Sequence, residues 1–334
     1  MAVTERSSQL TKQSNPIVSR LRAVVLSKEG ILFLIMIAAM FILSLLTDKF
    51  LTTNNLLNQL RLVTEIGLMA LPMTFIIITG GIDLSVGSIF GLSAIVMGFL
   101  WQDSGWPLEL AIIMCIVVGT IAGFINGLFI VRVGVPPLIM TLATLALYRG
   151  MALGVSEARS ARGFPDWFFD LGQRQFLGIP SQLWILLIAA IMVGIILART
   201  PFGRGIYAMG NNELAARFSG IPVRLYKLVI YTFSGFMAGL AGYIFTSRIS
   251  TTRADMGTGL ELDVIAAVVL GGTSINGGSG SIVGTMIGLI LIQLLKNGLL
   301  LGGVKGDATI VIIGAILILA ILINNLVQRR TGGD

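Results

Sequence analysis

Hydrophobic residues occur along this chain in long runs that short polar stretches separate. A run of about 18 or more apolar residues is long enough to cross a bilayer as a helix. The pattern predicts ten spans, near residues 30–46, 62–80, 84–101, 109–131, 136–154, 183–198, 227–246, 260–272, 281–301 and 308–327. The eighth is the weakest, because its uninterrupted apolar part is short. We therefore predict an all-α membrane protein, a polytopic bundle of about ten transmembrane helices.

The polar stretches divide the chain into a basic tail at 1–29, a membrane domain at 30–327 and a short tail at 328–334. Lys and Arg are concentrated in the first tail and in the loop at 199–227, and such a bias marks cytoplasmic segments. We expect both termini and this loop to be cytoplasmic, the 155–182 loop to be on the outer side, and the membrane to be the bacterial inner (plasma) membrane.

Composition supports this interpretation and excludes several others. Only 12% of the residues are charged, about half the usual fraction in soluble domains. The formal net charge of +7 is explained by basic cytoplasmic loops and does not indicate a nucleic-acid partner. The chain has no histidine and one cysteine, Cys115, so a His-based metal site, a Ser-His pair and an internal disulfide are excluded.

The absence of several sequence motifs excludes further classes of function. The sequence has no G-x-x-x-x-G-K-[ST] loop for ATP, no G-x-S-x-G, no H-E-x-x-H and no TVGYG-type channel filter. We therefore predict no catalytic residue, no metal and no cofactor, and a chain that is not itself an enzyme.

Two glycine-rich stretches each join two predicted spans: GGIDLSVGSIFG at 80–91 and GGTSINGGSGSIVG at 271–284. Both run from paired glycines into Gly-Ser-Ile-x-Gly, and six spans separate them, so both have the same orientation. They suggest an internal parallel repeat, an architecture common in transporters; chance similarity between glycine-rich turns is the alternative. Glycines also recur every fourth residue within spans, which favours close packing of helix backbones.

The first stretch contains a carboxylate, Asp83, at membrane depth. As a cap, it would accept N–H groups from Ser85 or Val86 at the start of the next helix. The alternative is that the helix break at Asp83 borders a substrate path. A break at membrane depth persists only where it is buried in protein or lines a cavity. Glu65 and Lys296 lie within apolar spans. Each is either an end residue whose charged group extends to the membrane interface or a group that lines the substrate path. The pathway or helix-break candidates are Asp83, Ser85, Ser88, Thr273 and Asn276.

The loop at 199–227 contains a short predicted helix with clear start and stop signals. An asparagine pair can cap its start, and Gly220 followed by Pro222 ends it. About two turns are too few to be stable alone in water, which indicates docking into a partner; a solvated connecting loop is the alternative. Ala215 and Ala216 would leave one face narrow enough to enter a groove.

The 155–182 loop combines aromatic residues with arginines. Phe164, Trp167, Phe168, Phe169 and Phe176 would suit the membrane interface, which is the favoured interpretation. The alternative is a docking surface for a soluble partner, for which the candidates are Arg159, Arg162, Trp167 and Arg174.

Three motifs, ITGGIDLSVGS, FGRGIYAMGNNELAARFSGI and ELDVIAAVVLGGTSINGGSGSIVGT, resemble the ribose-type permeases of bacterial ATP-binding-cassette (ABC) importers. The likeness extends from about residue 30 to 325. The wider superfamily includes branched-chain amino-acid permeases. The GGIDLSVGS form is more similar to the sugar branch, which also holds rhamnose-, galactose- and autoinducer-2-type permeases.

The resemblance implies a permease subunit that moves a monosaccharide or sugar-like solute inward. The implied partners are an ATP-binding-cassette ATPase dimer, a second permease subunit (identical or related), a periplasmic or lipoprotein sugar-binding protein and membrane lipid. The resemblance also implies that the 199–227 loop docks on the ATPase. That coupling role falls on Gly210, Asn211, Asn212, Glu213, Ala215, Ala216, Arg217, Ser219 and Gly220.

Other functions remain open. A permease of the autoinducer-2 or amino-acid branch would share these motifs. The main rival from another class is an ion-coupled secondary transporter of a small polar solute, which would need ionisable groups near the membrane midplane.

Overall fold

The structure, a computed structural model, describes residues 27–306, 308–309, 311–315 and 318. The predicted C-terminal tail and most of the N-terminal tail and tenth span lie outside these residues. The helices are α1 Lys28–Leu46, α2 Thr53–Ile78, α3 Val86–Gln102, α4 Leu108–Leu128, α5 Pro137–Ser156, α6 Asp170–Gln173, α7 Ser181–Arg199, α8 Pro201–Asn211, α9 Glu213–Phe218, α10 Val223–Ile249, α11 Leu260–Leu270 and α12 Ile282–Leu301.

Short irregular elements complete the described chain. A π-helical turn, Phe129–Val133, extends α4, and a 3₁₀ turn, Asp166–Phe169, precedes α6. Two strands of two residues, β1 Gln175–Phe176 and β2 Ile179–Pro180, form an antiparallel hairpin.

Seven of the described helices are long and apolar enough to cross a membrane: α1, α2, α4, α5, α7, α10 and α12. The prediction of an all-α, polytopic membrane protein is confirmed. At 17 residues, α3 is about 26 Å long, which is just short of a full crossing.

The predicted eighth span at 260–272 is only a half-length helix. Its 11 residues extend about 16 Å, too little to cross a hydrocarbon core about 30 Å thick. The chain before it is not helical, because Gly257 and Gly259 take positive φ angles of 78° and 84°, which end helical geometry there. These turns lie against the start of α3, where a methyl group on Gly87 would overlap the Gly257 carbonyl oxygen.

The second predicted span begins nine residues earlier than expected, at Thr53 rather than 62. The polar residues in this added part find partners on α12. Asn55 exchanges two amide hydrogen bonds with Asn297, at 2.8 and 3.0 Å, and Gln293 donates to Gln59 at 2.8 Å. Paired amides satisfy each other within the bundle, so the helix continues where hydropathy alone predicts a loop.

The helices α4 and α10 cross at very short range. Methyl groups placed on Gly119 or Gly123 would overlap backbone atoms of α10, including the carbonyl oxygen of Gly235. The Cys115 thiol is buried at the same crossing and lies 3.3 Å from the Gly239 carbonyl oxygen, to which it donates. The predicted role of the glycine rows in close packing is confirmed at this crossing.

The helix directions give the bundle two ends. The helix α7 runs from one end of the bundle to the other. Residues 157–180, which precede α7, therefore lie at one end, and residues 200–222, which follow it and include α8 and α9, lie at the other. α10 has 27 residues and is about 40 Å long. Ser234 lies about 17 Å along α10 from Val223, near the middle of the bundle.

The segment at the 157–180 end folds onto the bundle. The rings of Phe164 and Phe168 are buried and stacked, 4.5 Å apart, in a cluster with side chains of α3 and α4. The expectation that these two rings lie at the membrane interface is therefore wrong: they fill a gap between two helices. Trp167 and Phe176 remain exposed.

Candidate functional site

Asp83 lies in the break between α2 and α3 and is fully buried. Its Oδ1 accepts hydrogen bonds from the backbone N–H of Ser85 at 3.0 Å and from the Ser85 hydroxyl at 2.6 Å. Its Oδ2 accepts from the Ser234 hydroxyl at 2.8 Å. The predicted contact with the Ser85 N–H is confirmed, and the partner on α10 places Asp83 near the middle of the bundle.

The carboxylate belongs to a longer hydrogen-bonded chain. The Asn126 amide donates to the Ser85 hydroxyl at 2.7 Å, and the Tyr148 hydroxyl lies 3.2 Å from the Asn126 amide oxygen. Ser88 is buried in the first turn of α3 and donates to the Ser85 carbonyl at 2.8 Å. One acidic group thus connects the helix break to α4, α5 and α10, and its buried oxygens all have hydrogen-bond partners.

Asp83→Asn is expected to lower stability by about 1–3 kcal/mol, because an amide nitrogen facing hydroxyl and N–H donors leaves a buried donor without an acceptor. Transport per folded molecule should be retained if the residue is a cap. Thermal unfolding in detergent and uptake normalised to folded protein measure the two effects. Asp103→Asn is the matched control, since Asp103 lies in an exposed ion pair and should change stability little. Lost transport at unchanged stability would instead place Asp83 on the pathway.

The second glycine-rich break, residues 271–281, meets the ends of α2 and α8. The Gly278 N–H donates to the carbonyl oxygen of Ile78, the last residue of α2, at 2.9 Å. A methyl group on Gly210 would overlap that same oxygen and the Gly278 nitrogen. The last turn of α8 is therefore in direct backbone contact with the second break and with the end of α2, where the first break begins.

A side-chain hydrogen bond strengthens this contact. The Tyr207 hydroxyl on α8 donates to the Gly280 carbonyl at 2.7 Å. Burial, together with the nearby Glu29 carboxylate, raises the pKa of Tyr207 above its ordinary value. The hydroxyl therefore keeps its proton at neutral pH and remains a donor.

The two glycine-rich stretches have the same local plan. In each, a helix ends at paired glycines, the chain turns, and a serine, Ser85 or Ser281, precedes the next helix. The Ser281 hydroxyl accepts from the Gly284 N–H at 3.0 Å. A repeat extending beyond these stretches stays a prediction.

The remaining pathway candidates lie apart from the carboxylate. Thr273 is buried and Asn276 is exposed. Among the described residues, no hydrogen bond joins either of them to Asp83, and the Thr273 hydroxyl has no partner.

The short helix predicted in the 199–227 loop is α9. Asn212 caps it, its side chain accepting the Ala215 N–H at 2.9 Å. Asn211 instead ends α8 and donates to the Tyr207 carbonyl. Gly220 takes a φ of 83° after the last turn, a conformation that suits glycine. The start and stop signals read from the sequence are therefore accurate.

The orientation of α9 differs from the expectation. Ala216 is buried and packs beside Met209 and Val223, because a small side chain lets this helix approach the bundle closely. Facing outward, Leu214 is 62% exposed and Phe218 is 84% exposed. These two residues lie four apart on one helix face, and we refer to them as the α9 face. The prediction that Ala216 faces a partner is wrong.

Three charged residues within the predicted spans, Glu65, Lys296 and Arg149, have partners. Glu65 Oε1 lies 2.8 Å from Arg248 Nε, and Lys296 Nζ lies 2.5 Å from Asp263 Oδ1. Arg149 donates from Nη1 to two carbonyl oxygens of the non-helical segment before α11. Within the described ranges, no group of three or more Asp, Glu, His or Cys residues is placed to hold a metal ion.

The docking candidates at the 157–180 end are all on the surface. Arg159 pairs with Asp103 at 3.0 Å, and Arg174 pairs with Asp170 at 2.8 Å. Arg162 and Trp167 are exposed as well.

The fold and these sites define a polytopic α-helical membrane protein with hydrogen-bonded helix breaks inside its bundle and a short helix displayed at one end. The family model described as "Branched-chain amino acid transport system / permease component" matches residues 55–321. The chain belongs to this permease family.

Several relatives are similar along most of their length. The ribose import permease protein RbsC of Bacillus subtilis (strain 168) is 44% identical over 295 residues, which cover 87% of this chain and 91% of that protein. RbsC of Escherichia coli (strain K12) is 37% identical over 311 residues, 92% of this chain and 96% of that protein. The autoinducer 2 import system permease protein LsrD of Salmonella typhi is 37% identical over 284 residues, 83% and 85% respectively. No solved structure matches the chain.

Proposed function

We propose that this chain is the transmembrane permease subunit of a bacterial ABC importer for ribose or a closely related sugar. The names of the RbsC relatives support the sugar assignment, and the similarity to LsrD keeps autoinducer-2 as the second candidate. ATP hydrolysis belongs to a separate ATPase dimer. A second permease subunit and a sugar-binding protein complete the transporter.

The observation that carries the proposal is the α9 face. Leu214 and Phe218 are large apolar side chains that the described part of the bundle leaves uncovered. Burying two such side chains in a partner's groove contributes about 1.5–3 kcal/mol each. A six-residue helix has little stability of its own, and a partner surface would hold it. We assign this face to the ATPase.

The contacts of α8 supply the link from that face to the bundle. α8 ends at Asn211, and α9 follows after one residue. Because Gly210 and Tyr207 touch the second break and the end of α2, a displacement of α9 moves both breaks. Nucleotide and binding protein would each favour one of two arrangements of these helices.

The distribution of basic residues supports a cytoplasmic location for the 200–222 end. This end and the adjoining turns of α7 and α10 carry Arg199, Arg204, Arg217, Arg224 and Lys227. Both termini are then cytoplasmic. The binding protein would dock at the opposite end, where Arg159, Arg162, Trp167 and Arg174 are on the surface.

An ion-coupled secondary transporter is disfavoured by the ion pairs inside the bundle. Coupling needs a carboxylate that can exchange its ion or proton. Glu65 is engaged by Arg248, and the buried Asp83 accepts three hydrogen bonds.

Reconstitution tests the proposal. Proteoliposomes with the permease, its ATPase and its binding protein should take up radiolabelled ribose only with ATP. The Leu214→Ala/Phe218→Ala variant should lower uptake at least tenfold while inserting normally, because two buried apolar contacts are lost. Leu147→Ala, at an exposed apolar position in the middle of α5 and away from both ends, is the control and should leave uptake unchanged. Uptake driven by an ion gradient without the ATPase would contradict the proposal.

A further inference from the structure

A cavity of about 490 Å³ opens at the 200–222 end, between the π-helical turn after α4 and the start of α10. Its volume lies within the range of about 300–1,000 Å³ that is typical of small-ligand sites. Its wall combines charged side chains from α9 and α10 with apolar side chains from the ends of the two spans. It is separate from the α9 face and from both helix breaks.

The charges in the cavity are unbalanced. Lys227 pairs with Glu213 at 2.6 Å, and these two charges offset each other. Arg217 and Arg224 also line the cavity, and neither forms an ion pair within the part of the chain that the structure describes. Two unpaired guanidinium groups facing one cavity favour an anion, and their planar donor pairs match the oxygens of a phosphate group.

The apolar part of the cavity wall indicates that the ligand has an apolar part in addition to its phosphate group. Ile130 comes from the turn that extends α4, and Leu225 from the first turn of α10. Both helices are long and apolar enough to span a membrane, so the cavity lies where these helices leave the lipid. Leu225 is largely exposed, as expected for a side chain in contact with acyl chains.

We propose that this cavity binds the phosphate headgroup of an anionic phospholipid from the adjacent leaflet. Arg217 and Arg224 hold the phosphate, and the glycerol and acyl chains lie along the apolar wall. Basic pockets between membrane helices bind such headgroups in this way. Because Arg217 belongs to α9 and Arg224 to α10, the bound lipid bridges the two helices and fixes the short helix against the bundle. This inference depends on the membrane location of the chain and on neither the sugar nor the ATPase.

Native mass spectrometry of the full-length permease, without ATPase, tests the proposal. Phosphatidylglycerol should bind at least tenfold more tightly than phosphatidylcholine, and Arg217→Gln/Arg224→Gln should remove this preference. Arg199→Gln/Arg204→Gln removes the same charge at the same end, outside this cavity, and should keep the preference. An equal loss in both variants would show general surface attraction and overturn the proposal. So would binding of inorganic phosphate without binding of phosphatidylglycerol.

A second measurement uses the unaltered protein. A photoreactive phosphatidylglycerol should crosslink to peptides containing residues 129–134 or 217–225. Crosslinks confined to other peptides would overturn the proposal. This result does not depend on whether the arginine variants fold. An unchanged lipid affinity of Arg217→Gln/Arg224→Gln would do the same, and would fit a cavity filled by an acidic segment of the ATPase.

Discussion

Gly210→Ala is expected to reduce ATP-driven sugar uptake at least tenfold while the protein still inserts in the membrane. The added methyl group would overlap the Ile78 carbonyl oxygen and the Gly278 nitrogen. Both are backbone atoms, so the overlap is relieved only by separating α8 from the two breaks, at a cost of about 1–3 kcal/mol. Uptake and ATPase activity measured in the same proteoliposomes should show hydrolysis continuing without transport.

The control for this substitution is Gly194→Ala in α7, where the nearest atom would lie 3.8 Å from the new methyl group. It should transport normally. Tyr207→Phe provides a milder companion, because it removes only the hydrogen bond to the Gly280 carbonyl and should lower uptake less. Wild-type uptake by Gly210→Ala would show that this contact does not transmit the motion.

Gly235→Val is expected to prevent the bundle from folding. Its Cβ would overlap the Gly119 carbonyl oxygen at the crossing of α4 and α10, and two branched methyl groups add to the crowding. The two helices cannot separate without losing their packing along this crossing, so we expect a loss of more than about 3 kcal/mol. Size-exclusion chromatography and protease resistance of the detergent-extracted protein measure the folded fraction.

Gly150→Val is the matched control, because nothing lies within 4 Å of a Cβ at that position of α5. It should yield folded protein at close to the wild-type level. A folded Gly235→Val protein at the same level would refute the tight crossing.

The sequence predicted the parts of the fold that depend on local patterns. Apolar run length identified the seven long helices, and glycine spacing predicted the close helix packing that the α4–α10 crossing shows. The half-length α11 was missed because its apolar run continues into the following glycines. Gly257 and Gly259 before the run and Gly271 and Gly272 after it were the signal that the helix is short.

At the candidate site, the sequence predicted only the contacts between residues that are close together in the chain. Asp83 and its Ser85 partner are two residues apart, so capping rules found them. Ser234 is 151 residues away, and no local pattern can pair the two. For α9, start and stop signals were sufficient for its bounds. The four-residue spacing of Leu214 and Phe218 was the signal for its outward face.

The burial of Cys115 at the α4–α10 crossing has a practical consequence. The only thiol of the chain is enclosed by protein, so a water-soluble maleimide should not reach it. Cysteines introduced singly at 211–220 or at 159–174 then report their own compartment, with the native thiol left in place. In the proposed orientation, an impermeant maleimide added outside intact spheroplasts labels the second set and not the first.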